Sequence, residues 1–358
     1  MTPHYSKIHN RFSWESYHLN SKGLVDLGYS FIKEGGPHEK SIGEFLLNWL
    51  DERDFVLTSS SGSTGGPKLM PLSKQSMVNS AIATGDALNL EAGQTCLLCL
   101  PATHIAGKMM LVRAMILGLE LHYVSPSKSP LRLTKKSFDF CAMTPMQLKN
   151  SMHRIDSIGK ILVGGGVVSS TIKEALPNKT VQVFETFGMT ETFSHVALKK
   201  LHTNSGAALG FTPLPGISVS KDDRGCLIIQ APHILEGVLV TNDLVEIHTD
   251  GSFSWLGRLD NVINSGGVKL YPEKIEKSLS SYIELPYFIA ALPNQELGEC
   301  VGLLIEGPHQ ELDPKTFDLL DRFEKPKGVY FIEKFSYTSN GKVQRKETVA
   351  QLLKALKK

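Results

Sequence analysis

The sequence predicts an α/β fold with a large N-terminal domain of mainly parallel sheets, a small β subdomain within it, and a small C-terminal α+β domain. From Phe55 onward, short apolar runs alternate with helical stretches, a pattern typical of strands buried on both faces of a parallel sheet. After about Pro213, short strands separated by polar turns indicate antiparallel pairing. The pattern changes again at Gly257–Lys269, so we place the domains at residues 1–256 and 257–358.

The elements of the large domain follow from apolar periodicity. Residues 1–54 read as partly helical and amphipathic. Buried strands are predicted at Val56–Leu57, Thr95–Leu100, Leu119–Val124, Phe138–Met143, Lys160–Val163 and Val181–Phe184. Helices are predicted at Lys74–Leu88, Ala106–Leu117, Pro145–Ser151 and Ser170–Ala175. Several strands end at Gly or Pro turns, and the carboxyl ends of such strands are where α/β sheets bind ligands.

The rest of the chain reads as shorter elements. Antiparallel strands are predicted at Ile217–Val219, Cys226–Ile229 and Val238–Val240. The C-terminal domain is predicted to contain helices at Pro272–Tyr282 and Glu347–Lys357 and strands at Pro286–Leu292 and Val301–Ile305. We find no internal repeat and no low-complexity tract.

Composition excludes several classes of protein. Of 358 residues, 41% are hydrophobic and 21% are charged, which is ordinary for a globular protein. The net charge of +2 gives no electrostatic reason to expect a nucleic acid or a membrane surface as partner. The N-terminus lacks the apolar core of a signal peptide, and no apolar run is long enough to span a membrane. We therefore expect a cytoplasmic protein without membrane insertion.

The five cysteines do not indicate a disulfide framework, because their number is odd and no secretion signal precedes them. Cys96 and Cys99 form a C-x-x-C pair inside an apolar run. Since no second pair stands at zinc spacing, we interpret them as buried strand thiols.

The most informative segment is T-S-S-S-G-S-T-G-G-P-K at Thr58–Lys68, which contains no apolar residue. Its glycines let backbone N–H groups turn toward one point, and its hydroxyls add donors, as in a cradle for phosphate oxygens. It is not a Walker A loop, because Leu69 follows Lys68 where a hydroxyl is needed. A flexible Gly/Ser linker is the alternative, but linkers seldom lie between a strand-like and a helix-like run.

Five strings in this order resemble the motifs of the adenylate-forming acyl-CoA ligase family. They are the loop at Thr58–Lys68, E-T-F-G-M-T-E at Glu185–Glu191, T-N-D-L at Thr241–Leu244, G-R-L-D at Gly257–Asp260 and N-G-K-V-Q-R-K at Asn340–Lys346. Each string alone is short and has a structural explanation, but one family accounts for all five. The resemblance implies an enzyme that joins a carboxylic acid to coenzyme A through an acyl-adenylate, using ATP and Mg²⁺.

The resemblance also implies roles for individual residues. Because the attacking carboxylate and the α-phosphate are both anionic, the enzyme has to supply positive charge and oriented donors. The loop would hold the β- and γ-phosphates through Thr58, Ser59, Ser61, Gly62, Ser63, Thr64, Gly65 and Lys68. Phe187 and Gly188 belong to the nucleotide motif, Thr190 would bind the α-phosphate, and Glu191 would bind Mg²⁺. Asp243 and Arg258 would hold the ribose, and Lys342 would reach the developing charge at the reacting phosphate.

In this family the C-terminal domain rotates between the two half-reactions, which implies a hinge at Asp260. Rotation would withdraw Lys342 and bring Gly266 and Gly267 toward the path of the CoA thiol, while Lys269 would meet CoA phosphates. Two departures from the family pattern are Asn242, where Gly is usual, and Leu69 after the loop lysine. Only 57 residues precede Thr58, so the resemblance implies a shorter N-terminal part than most members have.

The string P-A-T-H-I-A-G at Pro101–Gly107 is similar to that of the o-succinylbenzoate–CoA ligases of menaquinone biosynthesis, and so is G-M-T-E-T-F-S-H at Gly188–His195. Such an acid has an aromatic ring and two carboxylates, so its pocket should combine apolar lining with a cation for the carboxylate that does not react. The candidates are His104, also a catalytic candidate, with Arg113, Ser194, His195, Gly164, Gly165 and Gly166.

Three other functions stay open from the sequence. The chain could be a CoA ligase for another aromatic or short-chain acid, a carrier-protein adenylation domain, or a nucleotide-binding relative without turnover. Retention of both Glu191 and Lys342 speaks against the last of these. The sequence does not fix the oligomeric state, and a homo-oligomer stays open.

Overall fold

The computed structural model describes residues 2–60, 68–166, 168–176, 179–201, 210–337 and 343–356. Up to residue 213 the strands are β1 Ser13–Trp14, β2 Tyr17–His18, β3 Phe55–Ser60, β4 Lys68–Ser73, β5 Thr95–Leu98, β6 Glu120–Tyr123, β7 Phe138–Met143, β8 Ile158–Val163, β9 Gln182–Gly188, β10 His195–Lys200 and β11 Thr212–Pro213. The helices of this part are α1 Ser21–Glu34, α2 Pro37–Leu50, α3 Lys74–Leu88, α4 Ile105–Leu117, α5 Pro145–Ser151 and α6 Ser170–Ala175.

The remaining strands are β12 Ser218–Lys221, β13 Cys226–Gln230, β14 Val238–Ile247, β15 Phe253–Arg258, β16 Ile263–Ser265, β17 Val268–Leu270, β18 Tyr287–Asn294, β19 Gly298–Glu306 and β20 Gly328–Ile332. The two helices described in this part are α7 Pro272–Leu279 and α8 Arg345–Leu356.

The largest sheet has the order β11-β10-β9-β8-β7-β5-β6-β1-β2 within the described chain. Its six central strands, from β9 to β1, all run parallel, and antiparallel strands extend it at both ends. The predicted α/β class with a mainly parallel sheet is therefore confirmed. Parallel order places the carboxyl ends of β5, β7, β8 and β9 along one edge of the sheet.

At the start of the chain, one prediction is wrong in part and another is confirmed. The run Val56–Leu57 belongs to β3, which pairs only with β4 in an antiparallel hairpin among the described residues. Val56 is buried, but Leu57 is 46% exposed because a two-stranded hairpin leaves one face uncovered. Residues 1–54 are helical in part, as predicted, because α1 and α2 lie within them. The short strands β1 and β2 precede these helices, and β1 pairs with β6.

The second half of the chain forms two smaller sheets. Strands β12 to β15 form an antiparallel sheet, as predicted for the β subdomain. Strands β16 to β20 form another, in which only β20 runs parallel to its neighbour β19 among the described pairs. Apolar side chains between Ile263 and Leu352 pack in clusters separate from those of residues 12–253. This separation fits the predicted division at residues 256 and 257, which stays a prediction.

All five cysteines are free and buried, as predicted for strand thiols. The Sγ atoms of Cys99 and Cys141 lie 3.7 Å apart between neighbouring parallel strands. Burial raises the pKa of Cys96 and Cys141, so both are neutral thiols packed like small apolar groups. Among the described helices, none has the length and apolar composition needed to cross a membrane.

Candidate functional site

The parallel strands bring several predicted site residues to one edge of the large sheet. His104 follows β5 at the start of α4, Gly164 to Gly166 follow β8, and Thr190 and Glu191 follow β9. Because β8 and β9 are neighbours, the glycine segment begins beside Thr186 of β9, and the Thr-Glu motif follows at the end of the same strand. The structure thus collects at the carboxyl edge three segments that are far apart in sequence.

The hairpin of β3 and β4 carries the predicted phosphate loop. Ser61, Gly62, Ser63, Thr64 and Gly65 lie outside the described residues, and so do the side chains of Ser59 and Lys68. The described part shows Thr58 paired with Met70 across the hairpin, two residues before Ser60 ends β3.

Lys108 holds strand β3 of this hairpin where the predicted loop begins. The sequence analysis did not select this residue. Its Nζ donates to Thr58 Oγ1 at 2.8 Å and to the Leu57 carbonyl at 3.1 Å. Burial lowers the pKa of Lys108, which shows that its ammonium group is partly withdrawn from water. The available signal was weak: Lys108 is one of two cations in the otherwise apolar helix α4.

A tight turn presents the Thr-Glu motif. Thr190 and Glu191 lie in a 3-10 turn at Thr190–Thr192 that joins β9 to the antiparallel strand β10, and Glu191 is exposed. A Cβ at Gly188 would collide with the backbone of Ser194, so the close return of the chain requires glycine there.

The backbone of this turn is strained, and hydrogen bonds of a buried hydroxyl hold it in place. Phe193 has φ 62 and ψ −34, a conformation that a residue with a side chain rarely adopts. The buried Thr192 hydroxyl holds the turn by accepting from the Met189 N–H at 3.0 Å and lying 2.7 Å from the Ser194 carbonyl. The consequence is that Ser194 and His195 enter β10 directly beside the motif.

A buried polar network lies behind this turn. Arg113 of α4 donates from Nη2 to Ser194 Oγ and from Nε to Thr84 Oγ1 at 3.3 Å. His195 places Nδ1 3.1 Å from Ser194 Oγ and Nε2 3.2 Å from Thr84 Oγ1. We call Thr84, Arg113, Ser194 and His195 the arginine cluster. The structure brings together three predicted pocket residues and adds Thr84, which the sequence analysis did not select.

The electrostatics of the arginine cluster are unusual. The Arg113 side chain is almost fully buried, and no carboxylate pairs with it among the described residues. Burial lowers the pKa of Arg113 to about 10, so the guanidinium stays charged at neutral pH. Burial, and then the Arg113 charge, lower the pKa of His195 well below its usual value, so the imidazole is neutral. Within the part of the chain that the structure describes, the cluster is therefore a buried cation without a counter-ion.

His104 and the glycine segment occupy separate positions. His104 is the N-cap residue of α4, and no described hydrogen bond joins it to the arginine cluster. Burial and the charge of Lys108 lower the pKa of His104. A Cβ at Gly164 would lie 2.5 Å from Thr186 Oγ1, and Gly165 has φ 83, so both positions favour glycine. Gly166 is exposed beside them.

Asp243 and Arg258 face each other in the small antiparallel sheet, as register partners on β14 and β15. Asp243 is buried and accepts from Trp255 Nε1 at 2.9 Å, while Arg258 Nη1 lies 3.7 Å from its other oxygen. Burial raises the pKa of Asp243, and the Trp255 hydrogen bond and Arg258 oppose that rise. Near this sheet, the Phe187 ring packs edge-on against Phe253 at 5.1 Å. The sequence analysis missed Trp255.

The predicted hinge residue Asp260 lies in a short 3-10 turn after β15. Its carboxylate accepts from Arg258 Nη2 at 3.0 Å and from Asn242 Nδ2 at 3.4 Å. Asn242, the departure from the family pattern, therefore contacts the carboxylate of the predicted hinge residue. Gly266 and Gly267 have φ 58 and 86 and form the turn between β16 and β17.

The roles of two lysines near the C-terminus stay predictions. Lys269 lies exposed on β17, next to the turn of Gly266 and Gly267. Lys342 lies outside the described residues, between the bridge residues Tyr337 and Val343.

Asp243→Asn is expected to stabilise the protein at neutral pH and, given the predicted ribose contact of Asp243, to weaken ATP binding. Because burial raises the folded-state pKa of Asp243, the folded state favours the neutral carboxyl, and stability is lost as the pH rises through that pKa. The neutral amide removes this loss, so the gain in stability should be larger at pH 7.5 than at pH 4. Denaturant unfolding at both pH values measures the change in stability, and the KM for ATP measures the change in nucleotide binding. If the Asp243→Asn protein is instead destabilised, and more so at pH 7.5 than at pH 4, the attraction of Arg258 for the Asp243 carboxylate outweighs the effect of burial on its pKa.

Comparison with known proteins now assigns the class. Residues 30–230 match the model of the AMP-binding enzyme family, which is more than half of the chain. The chain belongs to the AMP-binding enzyme family, and it is an enzyme of the AMP-forming acid–CoA ligase type. The family resemblance drawn from the five sequence strings is confirmed.

Individual relatives narrow the comparison. The chain is 23% identical over 352 residues to the 2-succinylbenzoate–CoA ligase of Lactococcus lactis, covering 92% of this chain and 77% of the relative. It is 26% identical over 357 residues to the enzyme of that name from Listeria monocytogenes, covering 89% and 74%. These relatives are longer than this chain, which spans about three quarters of them.

Solved structures show the same fold. An acyl-CoA synthetase (AMP-forming)/AMP-acid ligase II-like protein from Dyadobacter fermentans is 36% identical with a TM-score of 0.61, covering 92% of this chain and 98% of that one. The o-succinylbenzoate CoA synthetase of Bacillus subtilis in complex with OSB-AMP is 20% identical with a TM-score of 0.72, covering 81% and 68%.

Proposed function

We propose that this enzyme converts 2-succinylbenzoate (o-succinylbenzoate) to its CoA thioester in menaquinone biosynthesis, through an acyl-adenylate. The observation that carries the proposal is the buried Arg113 guanidinium, which has no carboxylate partner among the described residues. A buried charge is costly unless a ligand or neighbour balances it. A substrate with two carboxylates can place one at ATP and the other at this cation.

The groups of Arg113 and the glycine segment fit an aromatic dicarboxylic acid. Arg113 presents a planar fork of donors, which matches a carboxylate in two-point geometry. The exposed glycines Gly165 and Gly166 leave space for the flat face of a ring at the adjacent strand end. The names of the curated relatives point to the same acid.

The residues described also fit ATP and Mg²⁺. The exposed Glu191 offers a hard oxygen, and Mg²⁺ usually combines one or two carboxylates with substrate phosphates and water. The buried Asp243 offers an acceptor to the ribose, with Arg258 beside it. A Bacillus subtilis relative of the same fold has been solved in complex with ATP and magnesium ion.

In the first half-reaction, a carboxylate oxygen of the acid attacks the α-phosphate, and the bond to pyrophosphate breaks. Mg²⁺, when bound, supplies positive charge to the phosphates. Thr190 would donate to the α-phosphate, and Lys342 would stabilise the charge that develops between the two anions. The phosphate loop, whose base Lys108 holds, would bind the β- and γ-phosphates.

In the second half-reaction, the CoA thiol attacks the acyl carbon and AMP leaves. We infer that the C-terminal domain rotates about Asp260 between the two steps. This rotation would withdraw Lys342 from the reacting phosphate and bring the turn of Gly266 and Gly267 toward the path of the CoA thiol. Lys269 would then meet the CoA phosphates. The contacts of Asp260 with Asn242 and Arg258 would hold one of the two orientations.

Asp260→Pro is expected to reduce overall turnover by roughly tenfold or more while leaving one half-reaction intact, because proline fixes φ at the hinge. Asp260→Ala is the matched control, since it removes the same carboxylate and keeps the backbone free. Pyrophosphate release and thioester formation are measured separately for both variants. Equal turnover of the proline variant and the wild type would count against Asp260 as the hinge.

The deciding experiment is pyrophosphate release with 2-succinylbenzoate and ATP, with and without CoA. We expect ATP- and acid-dependent release, and AMP and CoA thioester as products when CoA is present. A panel of benzoates and short fatty acids tests the other acid–CoA ligases, and preference for one of them would replace the proposed acid. Binding of ATP without release for any acid would indicate a relative without turnover.

Analogues sharpen the choice of acid. Two analogues that each lack one of the two carboxylates separate the reacting group from the group held by Arg113. We expect no release without the reacting carboxylate, and release with a KM raised roughly 100-fold without the other one.

A further inference from the structure

Thr84 joins the arginine cluster from a different helix. It lies on α3, which packs against α4, where Arg113 is located. The neighbouring Gly85 permits this approach, because a Cβ there would lie 2.8 Å from Leu117 Cδ2 of α4. The Thr84 hydroxyl is buried and lies within hydrogen-bond distance of both Arg113 Nε and His195 Nε2.

Counting protons fixes the direction of every bond in the network. The Thr84 hydroxyl has one proton, and it is donated to the Ser80 carbonyl at 2.9 Å, so its oxygen can only accept from other partners. His195 must then carry its proton on Nε2, which leaves Nδ1 as an acceptor for the Ser194 hydroxyl. Ser194 has no further proton to give, and its oxygen accepts from Arg113 Nη2.

We propose that Thr84 is a positioning residue that sets the specificity of the acid pocket for a carboxylate, an inference that rests on the proposed function. By accepting from Nε of Arg113, it orients the guanidinium; by accepting from Nε2 of His195, it selects one imidazole tautomer. In that tautomer, His195 Nδ1 accepts the proton of the Ser194 hydroxyl. The remaining N–H groups of Arg113 are then the donors the cluster offers to an anion, and none of its members supplies a competing negative charge.

Kinetics on three variants test this role. Thr84→Val keeps the shape and removes the acceptor, and we expect the acid KM to rise roughly 10- to 100-fold with the ATP KM unchanged. Thr84→Ser keeps the hydroxyl and should restore the acid KM to within about threefold of wild type. Ser80→Ala is the control on the same helix face, because the buried Ser80 Oγ has no partner in the described structure. An unchanged acid KM in Thr84→Val would overturn the proposal.

A spectroscopic measurement reads the tautomer without substrate. In protein labelled with ¹⁵N-histidine, long-range proton–nitrogen correlation distinguishes Nε2–H from Nδ1–H among the twelve histidines. The His195→Gln spectrum assigns the signal. We expect the neutral Nε2–H form in the wild type and in Thr84→Ser, and a loss or change of that form in Thr84→Val. A wild-type signal of the Nδ1–H form would overturn the proposed order of donors.

The two readouts separate this inference from the proposed function. If the wild type releases no pyrophosphate with 2-succinylbenzoate, the proposed acid fails, while the tautomer measurement still decides the role of Thr84 in the cluster. If the wild type turns over 2-succinylbenzoate and Thr84→Val has the wild-type KM for the acid, this inference fails while the proposed function stands. Should Thr84→Val not fold, Thr84→Cys keeps the volume with a weak acceptor, and its acid KM takes the place of the valine result.

Discussion

Replacing Lys342 with alanine is expected to slow adenylate formation by about 10²- to 10³-fold, because it removes a charge that acts only as the two anions approach each other. The effect should fall on kcat rather than on the KM for ATP, since Lys342 is proposed to act in the transition state. Pyrophosphate release measures this step. Thioester formation from supplied acyl-adenylate measures the second step, and it should keep most of the wild-type rate.

The control is Lys346→Ala. Lys346 is an exposed cation at the start of α8, four residues further along, so its loss tests whether any nearby positive charge has the same effect. We expect both half-reactions of this variant to stay within about twofold of wild type. Equal loss of both steps in Lys342→Ala would contradict the view that the two half-reactions use different faces of the C-terminal domain.

Local signals explain which elements could be predicted from the sequence. The predicted bounds of helix α3 match the structure, in which Ser73 caps its start and Asn89, in the left-handed region, ends it. The predicted bounds of helix α5 also match, and Thr144 and Gln147 form a capping box around Pro145. Such signals lie within a few residues of the helix end, so a single sequence contains them.

Pairing between distant segments explains what could not be predicted. The β3–β4 hairpin has the same apolar pattern as a sheet strand, and only its partner reveals the difference. The same limit applies to the site. Arg113, Ser194 and His195 were selected through the family resemblance, but Thr84 and Lys108 have no local mark and become visible only where helices α3 and α4 meet the sheet. A hydroxyl or cation inside a helix is ordinary until its partner is known.

Arg113 is the second residue for which a large effect is expected, and here stability and activity should move in opposite directions. The guanidinium is buried with two hydroxyl acceptors and without a counter-ion among the described residues. Replacing a buried charge with an apolar side chain of similar length is often stabilising. Arg113→Met should therefore raise the free energy of unfolding by about 1 to 3 kcal/mol.

The same substitution should lower kcat/KM for the acid by roughly 10²- to 10³-fold, because it removes the cation proposed to hold the carboxylate that does not react. Denaturant unfolding and steady-state kinetics on the same preparation measure the two effects, and the KM for ATP should not change. Arg113→Lys keeps the charge without the planar fork, so it should lose part of the activity and gain no stability. An unchanged acid KM in Arg113→Met would remove Arg113 from the pocket. A less stable Arg113→Met protein would mean instead that the hydroxyl contacts with Thr84 and Ser194 already compensate for the buried charge.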